Sequence, residues 1–521
     1  MIVYLCRDLE GGGLDLTLLA GRIAECDPQA EVRIAPGPCD RPERWLDREG
    51  TPTDRLLFGL CAVADRGELH ARARRLGFDP LAIEVVNLGV SCALAPTRAE
   101  ATRKAQALLG AGLARSRVFL AGGPENVKAV FIQDQQISRR SLFTLPPIRW
   151  EVVPSIRDEA CAAARGCRAC ATTCPHKALD ATDGRMVLSK AQCMGCGACV
   201  SACPVAAIEL PGASLAQIEA QLGALLGPDA ACGPRSGILF HCSRGAPSLS
   251  QLPRPAAAYP INWLPVELPC LGMVTPTWIL HCLGLGAAAV GMLACRREEC
   301  RFGQRETLEG RADYCRTVLR ALGASPDSVR TVDVTDKRAL AEALARPIAQ
   351  APSPAGDGSA GLDLRHDHGA TANALLELAG RWGRTPDHAI EYLQSPLGVV
   401  TLNSGCTACG ACASACPTGA LAIEQNGAEV ALSFDGTRCT ACDVCAPVCP
   451  EKVVQVDRRT DFRLLSRGRH ELHRDDVVRC EKCGGVVATR ALLDRFRTIL
   501  GDDPAMSTIT RYCEACRGSL L

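Results

Sequence analysis

Four cysteine runs constrain this chain more than any other feature. Each ends in cysteine, three residues, cysteine and proline: Cys170 to Cys174-Pro175, Cys199 to Cys203-Pro204, Cys412 to Cys416-Pro417 and Cys445 to Cys449-Pro450. Two further cysteines precede each ending at two-residue gaps, except that five residues separate Cys161 from Cys167. Two-residue gaps let one tight loop present three soft thiolates to a single inorganic centre, and the proline donates no N–H and fixes the turn. The 32 cysteines would otherwise suggest a secreted disulfide scaffold. Such scaffolds are short, whereas this chain has 521 residues and its cysteines fall mostly in close groups. The start, Met1-Ile2-Val3-Tyr4-Leu5-Cys6-Arg7-Asp8, also lacks a basic stretch followed by an apolar run and a cleavage site. The expectation is a reducing, cytoplasmic setting with metal-bound thiolates.

The run is the ligand pattern of bacterial-type ferredoxins, in which the fourth cysteine serves the partner cluster. Four copies predict two dicluster modules, at 155–212 and 398–458. In the second, Cys406, Cys409, Cys412 and Cys449 are expected to hold one [4Fe–4S] cluster, and Cys439, Cys442, Cys445 and Cys416 the other. In the first, Cys193, Cys196, Cys199 and Cys174 make a regular site. Cys161, Cys167, Cys170 and Cys203 make a looser one, either a fourth [4Fe–4S] site or a three-iron site lacking Cys161.

Length alone calls for several domains. The fold class expected is multidomain α/β plus α+β: two small parallel-sheet domains interleaved with the ferredoxin-like modules, then a C-terminal zinc-ribbon-like unit. Residues 1–150 alternate apolar strands (Ile2–Leu5, Val32–Ala35, Leu56–Leu60, Ile83–Leu88) with helical stretches, which argues for a parallel sheet. Each strand is followed by a cysteine, Cys6, Cys39, Cys61 and Cys92, on the edge where such sheets form ligand sites. These are either a further cluster site or ordinary buried thiols.

Residues 213–350 repeat the alternation. Strands at Gly237–Phe240, Leu264–Leu268 and Ala287–Leu293 bring Cys242, Cys270 and Cys295 to one edge, with Cys300 in the following loop. Leu271 to Ala294 carries no Asp, Glu, Lys or Arg, yet Pro276, Gly284 and Gly286 divide it into a short helix, a turn and a buried strand. No membrane span is expected. Residues 351–364 read as a linker, and Leu375–Trp382 and His388–Leu393 as helices within 351–397. His366 and His368 fit a solvated loop. In 459–521, Cys480-x-x-Cys483 and Cys513-x-x-Cys516 flank a helix at Ala491–Leu500, a pattern of four thiolates suited to zinc, with a fifth cubane as the alternative.

Two resemblances follow from longer motifs. Leu56-Leu57-Phe58-Gly59-Leu60-Cys61, Leu76-Gly77-Phe78-Asp79-Pro80 and Glu84-Val85-Val86-Asn87-Leu88-Gly89-Val90-Ser91-Cys92 resemble the N-terminal domain of the flavin-carrying subunit of heterodisulfide reductase. That resemblance implies a cluster, a [4Fe–4S] type being the expectation, at Cys6, Cys39, Cys61 and Cys92. Leu268-Pro269-Cys270-Leu271-Gly272-Met273-Val274 and Leu293-Ala294-Cys295-Arg296-Arg297-Glu298-Glu299-Cys300-Arg301 resemble the delta subunit of methyl-viologen-reducing hydrogenase. This one implies a [2Fe–2S] cluster at Cys242, Cys270, Cys295 and Cys300. It also implies partners such as formate dehydrogenase, hydrogenase or a flavoprotein.

The chain has no Gly-x-Gly-x-x-Gly turn after a strand, which a flavin domain would need, and no adjacent cysteine pair. With 58 basic against 57 acidic residues, no charge imbalance points to nucleic acid. The function expected is electron transfer between redox proteins. The alternative is a complete oxidoreductase reducing a small substrate at an open cluster.

Overall fold

The computed structural model describes residues 1–36, 39, 42–46, 55–62, 66–92, 95–119, 127–131, 148–227, 235–242, 246–252, 259–295, 300, 302–333, 337–348, 364, 369–501 and 505–518. Cys232, most of the linker, His366, His368 and the Arg296-Arg297-Glu298-Glu299 stretch lie outside the described residues.

The N-terminal sheet consists of β1 (Ile2–Cys6), β2 (Glu31–Ala35), β3 (Leu56–Leu60) and β4 (Ile83–Asn87) in the order β2-β1-β3-β4, all parallel. The two central strands are apolar and buried along their whole length, as a sheet covered by helices requires. Helices Leu16–Cys26 and Arg98–Arg117 cover it, each begun by a side-chain cap, Asp15 and Thr97. A short helix, Leu88–Cys92, follows β4 directly and seats Gly89 against the Cys61 backbone. A hairpin of β5 (Val127–Phe131) and β6 (Ile148–Val152) leads into the first cysteine-rich module.

In that module β7 (Ser155–Ile156) pairs antiparallel with β10 (Ile208–Glu209), and the hairpin β8 (Leu179–Thr182) and β9 (Arg185–Leu188) lies between the two cysteine runs. Single-turn helices Ala169–Thr173 and Ala198–Ala202 each end at the last cysteine of a run.

The second parallel sheet has β11 (Ser236–His241), β12 (Asn262–Glu267), β13 (Val290–Ala294) and β14 (Val329–Asp333), ordered β12-β11-β13-β14. The uncharged stretch from Leu271 forms helix Pro276–Gly284 and then β13. Among the described residues no helix is long and apolar enough to cross a membrane.

Leu364, at the end of the expected linker, is buried: its carbonyl accepts from Trp278 Nε1 (3.0 Å) and its N–H donates to Glu219 (2.8 Å). Helix Ala370–Trp382 then packs back on Pro276–Gly284, with Thr277 and Thr371 hydroxyls 2.5 Å apart. The helix expected at His388–Leu393 does not form. Ile390–Glu391 is instead a short strand, β15, paired with a strand of the second module. Cross-strand hydrogen bonding overrides the local apolar spacing there.

The second module comprises β16 (Gly398–Leu402), β17 (Leu421–Asn426), β18 (Glu429–Phe434) and β19 (Val454–Thr460), with helix Ala411–Ala415. β19 joins β15 and β16, and β20 (His470–Arg479) pairs with β18. β21 (Val486–Thr489) completes the order β17-β18-β20-β21. The expected boundary at 458/459 thus falls inside β19, and residues 470–479 extend the module's own sheet. Helices Arg490–Leu500, Ala505–Arg511 and Glu514–Arg517 close the chain. One apolar core runs from Ile2 to Leu465 through both parallel sheets and the first module.

Candidate iron–sulfur sites

In the second module, Ala408 and Gly410 take left-handed backbone conformations (φ 46° and 78°) and turn the loop that carries Cys406, Cys409 and Cys412. Ala441 and Asp443 do the same between Cys439 and Cys445 (φ 50° and 60°). Cys406, Cys409, Cys412 and Cys449 line one small cavity with Leu432 and Val454. Burial pushes the Cys412 thiol up to about 11, and its neighbours Cys406, Cys409 and Cys449 push the same way. Burial likewise pushes Cys439 up to about 12, with Cys442 and Cys416 adding to it. Cys445 is raised by burial and then by Cys439, Cys442, Cys416 and Cys412. The fourth cysteine of each run therefore has the other run's cysteines as neighbours. Clustered thiols without a countercharge hold their protons. A cationic centre would reverse this, because it binds thiolates.

The first module repeats the arrangement. Cys199 is raised by burial and by Cys196, Cys193, Cys170 and Cys174, and Cys174, Cys193, Cys196 and Cys199 line a common cavity. Burial raises Cys170 to about 12, followed by Cys203, Cys167 and Cys161. The long gap after Cys161 is taken up by a 3-10 turn, Ala163–Arg165, ended by left-handed Gly166. That turn returns Cys161 to the group with Cys167, Cys170 and Cys203. Backbone N–H groups point at the sulfurs: Ala178 to Cys174 (3.3 Å), Ala207 to Cys203 (3.2 Å) and Gly195 to Cys193 (3.5 Å). Such bonds stabilise thiolate ligands and tune their potential.

At the second parallel sheet, Cys242 and Cys295 follow β11 and β13 directly, and their sulfurs stand 3.8 Å apart. Burial raises Cys270 to about 12, a rise opposed by the Gly272 N–H and assisted by Cys196, Cys300 and Cys295. A cavity of about 290 Å³ opens beside Cys242, Cys270, Cys295 and Cys300 and reaches Met194, His70 and Arg305.

The N-terminal sheet draws the sulfurs of Cys6, Cys39 and Cys61 within 4.8 Å of one another. The Cys6 and Cys39 sulfurs are in direct contact, with Cα atoms 6.7 Å apart, and Cys61 Sγ lies 3.6 Å from Cys6 Sγ. Cys92 stays outside that group, at the end of its helix. At the C-terminus Cys480, Cys483, Cys513 and Cys516 all fall within 4.8 Å. Backbone hydrogen bonding lowers Cys480 to about 6, whereas the adjacent sulfurs, Cys483 first, raise Cys516 to about 12. Two thiolates on one tetrahedral ion with bonds of about 2.3 Å stand about 3.8 Å apart. Four sulfurs this close together could hold a single metal ion.

Residues distant in sequence join these sites. Arg165 donates to the carbonyls of Cys416 (3.2 Å) and Pro417 (3.5 Å), so the first module's long loop docks on the second module. Lys128 donates to the Cys193 carbonyl. Arg311 donates to the Gly272 and Val274 carbonyls (2.8 and 2.9 Å) and to Ser201 Oγ (3.2 Å). None of the three belongs to a local pattern, and no sequence signal marks them.

Residues 238–349 match the family model for the methyl-viologen-reducing hydrogenase delta subunit. Residues 160–207 and 405–453 each match the 4Fe-4S dicluster domain. Comparison with curated proteins gives no match. The two dicluster matches imply [4Fe–4S] clusters, and together the three matches make this a multidomain iron–sulfur chain with an electron-transfer role.

Proposed function

We propose that the chain is an electron-transfer subunit in which five cysteine quartets form one ordered row. Cys242, Cys270, Cys295 and Cys300 stand at one end. Cys174, Cys193, Cys196 and Cys199 come next, followed by Cys161, Cys167, Cys170 and Cys203. Cys416, Cys439, Cys442 and Cys445 follow, and Cys406, Cys409, Cys412 and Cys449 form the far end. The observation that carries this reading is that each quartet adjoins the next: Cys270 and Cys196 share one buried cluster, helix Ala169–Thr173 packs on Ala198–Ala202, Arg165 donates to the Cys416 carbonyl, and Cys445 and Cys412 share another buried cluster.

The small cavities among the ferredoxin thiols, their burial and the N–H groups aimed at sulfur suit [4Fe–4S] ligation. The 3.8 Å contact of Cys242 and Cys295 suits two thiolates on one iron of a [2Fe–2S] rhomb. Bound clusters supply one-electron storage. The protein's part is to bury the ligands, exclude water and fix the order of sites. Cys6, Cys39 and Cys61, with Cys92 at the end of the adjoining helix, would make a further cluster site. The C-terminal four would hold zinc. The partners proposed are a formate dehydrogenase or hydrogenase and a flavoprotein, in line with the hydrogenase delta-subunit match.

The cavity beside Cys270 favours a second reading, reduction of a small substrate there. One experiment separates the two. The anaerobically isolated chain is mixed with reduced viologen and an oxidised flavoprotein. One-electron delivery to the flavoprotein is the expected result. Failure to pass electrons, with substrate turnover by the chain alone, overturns it.

A further inference from the structure

We infer that Arg311 is the positive countercharge of the two cluster sites at one end of the row and raises the reduction potential of both. Its guanidinium sits on helix Arg305–Ala321 between them. One nitrogen donates to Gly272 and Val274, in the loop that begins at Cys270, and the other to Ser201, on the single-turn helix that carries Cys199. Ser201 Oγ accepts from Arg311, and its one proton is shared between the Ala198 (2.9 Å) and Gly272 (3.2 Å) carbonyls.

A guanidinium remains protonated in proteins, and a desolvated charge is costly unless an opposite charge compensates it. Arg311 keeps some exposure as a residue, yet desolvation of its guanidinium is deep enough to lower its pKa to about 10. Among the described residues no carboxylate pairs with it, although Arg305 on the same helix is paired with both Glu309 and Asp333. Its polar partners are two carbonyls and a hydroxyl, which supply dipoles but no negative charge. Cys270 of one flanking quartet is the first group that favours its charged form, ahead of Cys315, a buried thiol one turn along the same helix, and Ser201 ties the guanidinium to the helix that carries Cys199 of the other. Reducing a site adds one electron and one negative charge. A fixed cation between two such sites stabilises that charge in both and so raises the potential of each.

This inference rests on reading the flanking quartets as cluster sites. The test is a stepwise dithionite titration of the full chain, followed by electron paramagnetic resonance, in wild type, Arg311→Gln, Arg311→Lys and Ser201→Ala. Arg311→Gln is expected to weaken the electron affinity of the two flanking sites about tenfold, a fall of about 59 mV for one electron. The second-module sites serve as an internal reference and stay unmoved. Arg311→Lys and Ser201→Ala keep the charge and stay close to wild type, an outcome a purely structural role would not give. Unmoved flanking potentials in Arg311→Gln, or an equal shift at every site, overturn the inference. Should Arg311→Gln fail to load iron, Arg311→Lys decides, because a tenfold loss with the charge retained also overturns it. Iron and sulfide are counted in the same samples. An empty wild-type chain overturns both readings, whereas loaded chains with unmoved potentials overturn this one alone.

Discussion

Cys445→Ala is expected to cut the row in the middle. Cys445 belongs with Cys416, Cys439 and Cys442, and it is also the thiol of that group within reach of Cys412 in the terminal quartet. Removing it leaves three thiolates for four irons, so the chain should lose at least about one iron, and about four irons with four sulfides if the site empties. Changes around a metal ligand already cost about 10–100-fold in affinity or activity, and losing the ligand itself should cost transfer across the gap at least about 100-fold. The first module should keep its own clusters, because its quartets draw nothing from residues 439–449. Stopped-flow reduction with metal counting checks this. Unchanged transfer to the terminal quartet would mean that electrons bypass the proposed order.

Gly89→Ala carries the largest expected cost in stability. A Cβ at residue 89 would lie 1.9 Å from the Cys61 carbonyl oxygen and 2.6 Å from its carbon. Both are backbone atoms at the end of β3 and cannot rotate aside. Overpacking a core costs about 1–3 kcal/mol even when side chains can give way, so about 3 kcal/mol or more is expected here. The displaced elements carry Cys61 and Cys92, so the thiol edge of the N-terminal sheet should move with them. Gly21→Ala is the control. It lies inside helix Leu16–Cys26 with nothing within 4 Å of its Cβ, and a gain of about 0.5–1 kcal/mol is expected. Hydrogen exchange at Leu57 to Leu60 measures both. Equal protection in the two variants would contradict the packing argument.

The parallel sheets and the two dicluster segments were readable because their determinants are local. Strands such as Leu56–Leu60 announce themselves as apolar runs, and each cysteine run carries its own loop geometry. What the sequence hid is decided by partners far along the chain. Ile390–Glu391 looked helical by spacing, but its conformation is set by Arg459 and Thr460 on β19. Leu364 looked like linker, but Trp278 and Glu219 hold it in place. Cys92 follows its strand through the short helix Leu88–Cys92, a turn that the run of apolar residues does not mark. The junction between the modules depends on Arg165 and Cys416, 251 residues apart, and Arg311 acts across 110 residues to reach Ser201. Neither pairing leaves a trace in composition or periodicity.

The central claim is that the gathered thiols bind inorganic iron and sulfide. Anaerobic isolation with iron, sulfide and zinc counting, joined to electron paramagnetic resonance on stepwise reduction, tests it most directly. At least about sixteen irons per chain are predicted, four for each of four [4Fe–4S] sites, with interacting reduced-cluster signals and about one zinc. Fewer than about ten irons after full reconstitution, or a colourless chain that takes up no electrons, would contradict it.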